Sequence, residues 1–138
     1  MAIVGFDITK IHAEKNKAAV GKIDIANNLS IIDIKEAKLN LGTEKKSGLE
    51  FNFLYASRYN PEIGIIEIHG KVIYMEKEDK VKEVLDSWKK DKKIKKDIVS
   101  AVYNSILSRC NVQAIILSRE VALPAPIPLP KVSSQPAK

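Results

Sequence analysis

Leu49 to Met75 read LEFNFLYASRYNPEIGIIEIHGKVIYM, and this stretch decides the fold. Leu49, Phe51, Phe53 and Tyr55 alternate with Glu50 and Asn52, the period of two that puts every second side chain on one face of a strand. Asn60-Pro61 marks a turn, and Ile63 to Met75 supply the next strand, in which Gly70 predicts a bulge or a close backbone approach. At Glu78 the period changes to 3.6: Val81, Val84, Leu85 and Trp88 fall on one helical face, with Asp79 placed to cap its start.

Toward the N-terminus, IVGFDITKIHA (Ile3 to Ala13) is a half-buried strand with Phe6 and Ile8 opposite Asp7 and Thr9. Ile11 breaks that phase, so a bulge is expected near Lys10. KIDIANNLSIIDIKEAKLNL, after Gly21, is a long strand in which Ile23, Ile25, Leu29 and Ile31 share one parity and Ile32 and Ile34 the other, which predicts a bend at Asn27 and Asn28. GTEKKSG, Gly42 to Gly48, is a polar turn. Toward the C-terminus, Ile98, Val99, Val102, Ile106, Leu107 and Cys110 form the apolar stripe of a second helix that Asn111 is expected to end or cap, with VQAIILSREVAL continuing beyond it. Leu123 to Pro130 must then be extended, because each proline fixes its own φ and pushes the preceding residue out of the helical region. The order predicts an α+β fold: a four-stranded antiparallel sheet followed by two or three helices packed on one face, closed by a proline-rich extended strap. Residues 1–132 make one domain and 133–138 a polar tail.

The chain has 138 residues, 45% hydrophobic and 29% charged, a composition that excludes disorder. No apolar run reaches the roughly 18 residues of a membrane span, and Met1 to Ile8 lacks a signal-peptide pattern, so a soluble, cytoplasmic protein without membrane partners is expected. Cys110, the single cysteine, excludes internal disulfides and agrees with a reducing compartment. The charge balance is +6, from 20 Lys and 3 Arg against 17 acidic residues, and Lys89, Lys90, Lys92, Lys93, Lys95 and Lys96 concentrate most of it around a lone Asp91. Abundant Lys and Ile with little Gln or Cys suits a thermophile.

The opening FDITKIHAEK, the paired strands LEFNFLYASRYNPEIGIIEIHGKVIYME and the helix leading into SREVALPAPIPLPKV resemble the SecB export-chaperone family over most of the chain. The resemblance implies a four-stranded antiparallel sheet backed by a long helix, and a noncatalytic holdase that holds unfolded polypeptides in hydrophobic grooves, often as a dimer of dimers. The basic balance departs from the acidic bacterial members and suits a basic, archaeal-type member.

Two binding chemistries follow. The six lysines form a patch for the RNA backbone, since each phosphate neutralised releases counterions, while scarce arginine argues against base-edge readout. Trp88 could stack on a base, but its helical spacing assigns it to the core. This reading ranks first: an accessory component of a ribosome or other ribonucleoprotein, with rRNA and ribosomal proteins as partners. The second is a holdase whose partner contacts are Ile66, Ile68 and Val72 on the outer sheet face and Ile127 and Leu129 over a groove. Catalysis is not expected. His12 with Glu14 and His69 with Glu67 supply too few ligands for a metal site, Cys110 lies on an apolar stripe, and Ser100, Ser105, Ser108 and Ser118 lack a nucleophile elbow. No phosphate loop or dinucleotide fingerprint is present, so no cofactor is expected. The prolines alternate with other residues, which excludes the PxxP spacing of a signalling ligand.

Overall fold

A computed structural model of the chain describes residues 2–41 and 44–127. The elements are β1 (Ala2–Lys15), β2 (Asp24–Leu41), β3 (Glu44–Asn60), β4 (Gly64–Met75), α1 (Glu78–Asp91) and α2 (Lys96–Glu120). The strands form one antiparallel sheet in the order β1-β4-β3-β2, so β1 and β2 are its edges. Both helices cover one face, α1 over β2 and β3 and α2 over β4 and β1. The expected α+β order therefore holds, with two helices.

The centre of the sheet sets the core. Phe51 lies opposite Val72 and Phe53 opposite Gly70, so the odd residues of β3 share a face with the even residues of β4. Leu49, Phe51, Phe53, Tyr55 and Tyr59 are buried there with Ile66, Ile68, Val72 and Tyr74, beneath Val81, Val84 and Trp88 of α1 and Ile98, Val102, Ile106, Cys110 and Ala114 of α2. Gly70 is a close approach: a Cβ there would run into the Asp7 carbonyl oxygen and come within 2.7 Å of Phe53 Cζ. The bulge expected near Lys10 sits opposite Gly70, between Ile8 and Lys10, and a second lies between Ile3 and Gly5.

Several expectations are corrected. Ile66, Ile68 and Val72 are fully buried under the helices rather than on the outer face, because the β3–β4 register gives them the parity of the phenylalanines. The outer face carries Ile65, Glu67, His69, Lys71 and Ile73, with Glu50 in reach of Lys71 (3.5 Å) and of the Asn52 amide (3.1 Å). The bulge in β2 lies between Ile31 and Asp33, not at Asn27 and Asn28. Ile32 is expelled, 54% exposed, so that Ile31 opposite Phe53 and Ile34 opposite Phe51 can both face inward. The polar turn is shorter than GTEKKSG, since β3 already begins at Glu44; Gly42 and Thr43 lie outside the described residues. Asp79 does not cap α1: Lys77 is the N-cap, its N–H donates to the Glu76 carboxylate (3.0 Å), and Asp79 lies in the first turn, where a negative charge favours the helix dipole. Asn111 does not end α2, which runs unbroken for 25 residues. Its side chain accepts from the Tyr55 hydroxyl (3.2 Å) instead of competing for its own backbone.

Phe53→Ala should cost about 3–5 kcal/mol, the range for emptying a fully buried aromatic site, and lower the thermal midpoint sharply. Lys71→Ala, on the outer face, should stay within about 1 kcal/mol, the range for an exposed ion pair. Equal effects in urea melts would contradict the assigned faces.

Candidate functional site

The two flanks of α2 carry the cavities of interest. On the β2–β3 side, Asn27, Asn28, Leu29, Tyr55, Leu107, Asn111 and Ile127 enclose 330 Å³. Asn27 stays in register opposite Ser57, which keeps its side chain on the inner face. There Asn27 accepts a hydrogen bond from Ser57 Oγ (2.7 Å) and donates one to the Pro126 carbonyl (2.9 Å). Tyr59 donates its hydroxyl proton to the Pro124 carbonyl (2.6 Å).

These two bonds explain how the strap is held. A proline has no N–H, so an alternating-proline segment has half the backbone donors of an ordinary strand but keeps all its carbonyls. Side-chain donors from β2 and β3 meet those carbonyls, and the Leu123 N–H finds the Ser118 carbonyl at the end of α2 (2.8 Å). Leu123 itself is buried against Gly64, where a Cβ would lie 3.0 Å from its Cδ1. Ile127 is among the residues lining the groove, while Leu129 and the tail 133–138 lie outside the described residues.

The opposite flank was not anticipated. Phe6 and Ile8 of β1 and Ser108, Arg109, Val112 and Gln113 of α2 line 480 Å³. The Arg109 guanidinium carbon lies 4.9 Å over the Phe6 ring, whose centroid is 5.5 Å from that of Phe53. Val112 is 58% exposed. The signal available in the sequence was Val112 and Ile116, apolar residues one helical turn apart outside the stripe of Ile98, Val102 and Ile106.

All six lysines are exposed across the α1–α2 junction. Lys95 pairs with Glu83 (2.8 Å), which raises its pKa, and Lys92 lies 4.8 Å over the Trp88 ring. Lys89, Lys90, Lys93 and Lys96 form no ion pair among the described residues. Trp88 is 8% exposed, a core residue whose ring is not open for stacking on a base. His12 pairs with Glu14 (3.3 Å) and His69 with Glu67 (3.6 Å) on neighbouring strands, and among the described residues no three such side chains gather around a metal position. Ser108 and Ser118 donate to the carbonyls of Ser105 and Ile115 in their own helix. Burial pushes the Cys110 thiol up to about 11, which makes it unreactive at neutral pH. No helix among the described residues is long and apolar enough to cross a membrane.

No protein-family model matches the chain, and a search of curated proteins finds no match. Among solved structures the fold is similar to that of the SecB-like chaperone Rv1957 of Mycobacterium tuberculosis, determined in complex with a ChAD peptide from the antitoxin HigA1 (Rv1956). The TM-score is 0.52 over 99% of this chain and 92% of that one, at 14% identity. The chain has a SecB-like fold. At that identity the likeness is one of fold alone, and it carries no sign of archaeal or thermophilic origin.

The buried phenols and thiol make the site sensitive to alkali. Desolvation, with Tyr55 nearby, pushes Tyr59 up to about 12 from 10.0, and desolvation also raises Tyr55 and Tyr74. The folded state therefore keeps protons that the unfolded chain releases at lower pH, so stability is full below about pH 9, where unfolded Cys110 begins to ionise, and falls between there and about 12. Tyr59→Phe should flatten this fall above pH 10 in urea midpoints measured against pH; an unchanged slope would show that Tyr59 is not the group titrating.

Proposed function

We propose that the protein is a noncatalytic holdase that takes extended, unfolded polypeptide segments into the groove of Leu29, Tyr55, Leu107 and Ile127. The observation that carries this reading is the strap: residues 123–127 are an apolar segment without regular secondary structure, bent at Pro126 and Ile127, and held by Tyr59 and Asn27 through carbonyl oxygens. Recognition through carbonyls and apolar contact does not depend on side-chain identity, which is what a binder of many unfolded sequences requires. The groove combines the apolar side chains of Leu29, Leu107 and Ile127 with the Asn28 and Asn111 amides, the mixture of apolar lining and few polar groups typical of binding clefts. The SecB-like neighbour was solved with a peptide bound, which supports polypeptide as the ligand class.

A second reading, RNA contact in a ribonucleoprotein such as the ribosome, is favoured by one observation: four exposed lysines without ion pairs among the described residues at the α1–α2 junction. It has no support from the fold likeness and ranks second.

One pair of variants distinguishes them. The full chain at near-equimolar ratio should suppress aggregation of a denatured test protein, and Leu107→Glu should reduce that protection severalfold while leaving the circular dichroism spectrum unchanged. Replacing the six lysines by Gln should leave protection intact. Absence of protection, combined with salt-sensitive RNA binding whose log-log slope drops by about 0.7–0.9 per lost phosphate contact in the lysine variant, would establish the second reading instead.

A further inference from the structure

We propose that the strap is a client mimic in cis: Leu123–Ile127 occupies the carbonyl-binding donors Tyr59 and Asn27 beside the β2–β3 groove, and an incoming polypeptide segment binds by displacing it. This rests on the holdase reading and adds the competitor that sets its threshold. Three observations carry it. Past Leu123 the strap is held by two hydrogen bonds among the described residues, and its own carbonyls accept both, Pro124 from the Tyr59 hydroxyl (2.6 Å) and Pro126 from the Asn27 amide (2.9 Å). These carbonyls are two residues apart, and any polypeptide carries the same acceptors at the same interval. Ile127 shares the groove lining with Leu29, Tyr55 and Leu107, so the strap covers apolar surface that a client side chain would use.

The third observation is the hinge. α2 ends in a reversal in which the Ala122 N–H donates to the Arg119 carbonyl (3.2 Å) and the Leu123 N–H to that of Ser118 (2.8 Å), with Ala122 at a φ of 55°. Glycine commonly fills this left-handed position at helix ends, and alanine holds it with strain. The reversal turns the chain back onto the sheet, where Leu123 and Pro126 are buried while Pro124 is exposed. A segment tethered this closely competes at a high effective concentration, whatever its intrinsic affinity. Its own apolar contribution past Leu123 is modest, since Ala125 and Ile127 are only partly buried. A client with larger aliphatic side chains takes over the same two donors without loss of hydrogen bonds, so the exchange turns on apolar burial. Proline suits a segment that must dock and leave: its fixed φ lowers the ordering cost of docking, and without an N–H it cannot lock into a sheet ladder.

The test compares the full chain with Pro126→Glu, which puts a charge at a buried strap position and leaves Tyr59 and Asn27 in place. A fluorescein-labelled peptide of alternating Leu and Ser, read by fluorescence anisotropy, should bind Pro126→Glu about tenfold more tightly, because the docked strap no longer depletes the competent state. Ala122→Gly, which relieves the strained reversal and holds the strap down, should weaken binding about threefold. Equal or weaker binding by Pro126→Glu, with an unchanged circular dichroism spectrum, would overturn the proposal. Should Pro126→Glu misfold, a nitroxide attached to the Ala125→Cys variant reads the same displacement; Cys110 is buried and unreactive at neutral pH, so labelling is selective. Saturating peptide should sharpen the nitroxide spectrum as the strap leaves, and an unchanged spectrum at saturation would overturn displacement. If the peptide binds neither the full chain nor Pro126→Glu, the holdase reading fails, whereas equal binding to both defeats only the competing strap.

Discussion

The Phe53 ring occupies the space that Gly70 leaves by having no side chain, and most of the structure depends on that contact. It pins the register of β3 against β4, so that Leu49, Phe51, Tyr55 and Tyr59 fall on the same face as Ile66, Ile68, Val72 and Tyr74. A slip of one residue would turn all of these side chains to the other face. The same glycine brings β1 close, since its missing Cβ faces the Asp7 carbonyl, and the bulge between Ile8 and Lys10 lies directly opposite. That bulge resets the parity of β1, and Phe6 lies between Phe53, its ring tilted by 35°, and Arg109. The central register thus reaches one of the two grooves through a chain of ring contacts.

How much of this was legible follows from how local each determinant is. The strands, the turn at Asn60-Pro61 and the period change at Glu78 are written in runs of five to ten residues, and each appears where alternation or helical spacing puts it. The face of β4 is not local. Ile65 and Ile66 are adjacent and chemically alike, and which of them is buried depends on turn geometry and on Gly70 receiving Phe53, neither of which parity within β4 reveals. Asn27 and Asn111 mislead for a related reason. Both have the chemistry of breakers, but Ser57, Pro126 and Tyr55 supply partners from distant parts of the chain, so tertiary hydrogen bonds outweigh the local preference. The groove around Ile127 was partly visible in the strap's composition; the Phe6–Arg109 groove, built from residues about a hundred positions apart, was not.

The burial of Ile66, Ile68 and Val72 also relocates the question of what the protein can bind. With the outer sheet face interrupted by Glu50, Glu67, His69 and Lys71, its apolar area is broken into pieces too small to hold an unfolded chain without stranding these charges. Concave apolar surface is left where α2 meets the sheet, because a straight helix cannot follow a twisted sheet along both of its margins. Each margin is then furnished differently. Amides and the Tyr55 phenol line the β2–β3 side, while Arg109 lines the β1 side.

Under the proposed holdase reading, magnitudes constrain how tightly such margins would hold a client. Burying one leucine- or phenylalanine-sized side chain contributes about 1.5–3 kcal/mol, and a partly exposed arginine–carboxylate pair roughly 1 kcal/mol or less. Against these stands the ordering of a flexible segment, on the order of 2–5 kcal/mol. Two or three apolar anchors therefore leave affinities in the micromolar to millimolar range for one groove, where 1 μM corresponds to about 8 kcal/mol. Weak single contacts release a client as soon as it begins to bury its own apolar side chains, and tight retention arises only when one long segment spans both flanks of α2 and makes the second contact intramolecular. On the proposed holdase reading, the spacing between the two flanks, with α2 as the ridge between them, would set a minimum length of unfolded chain for tight retention.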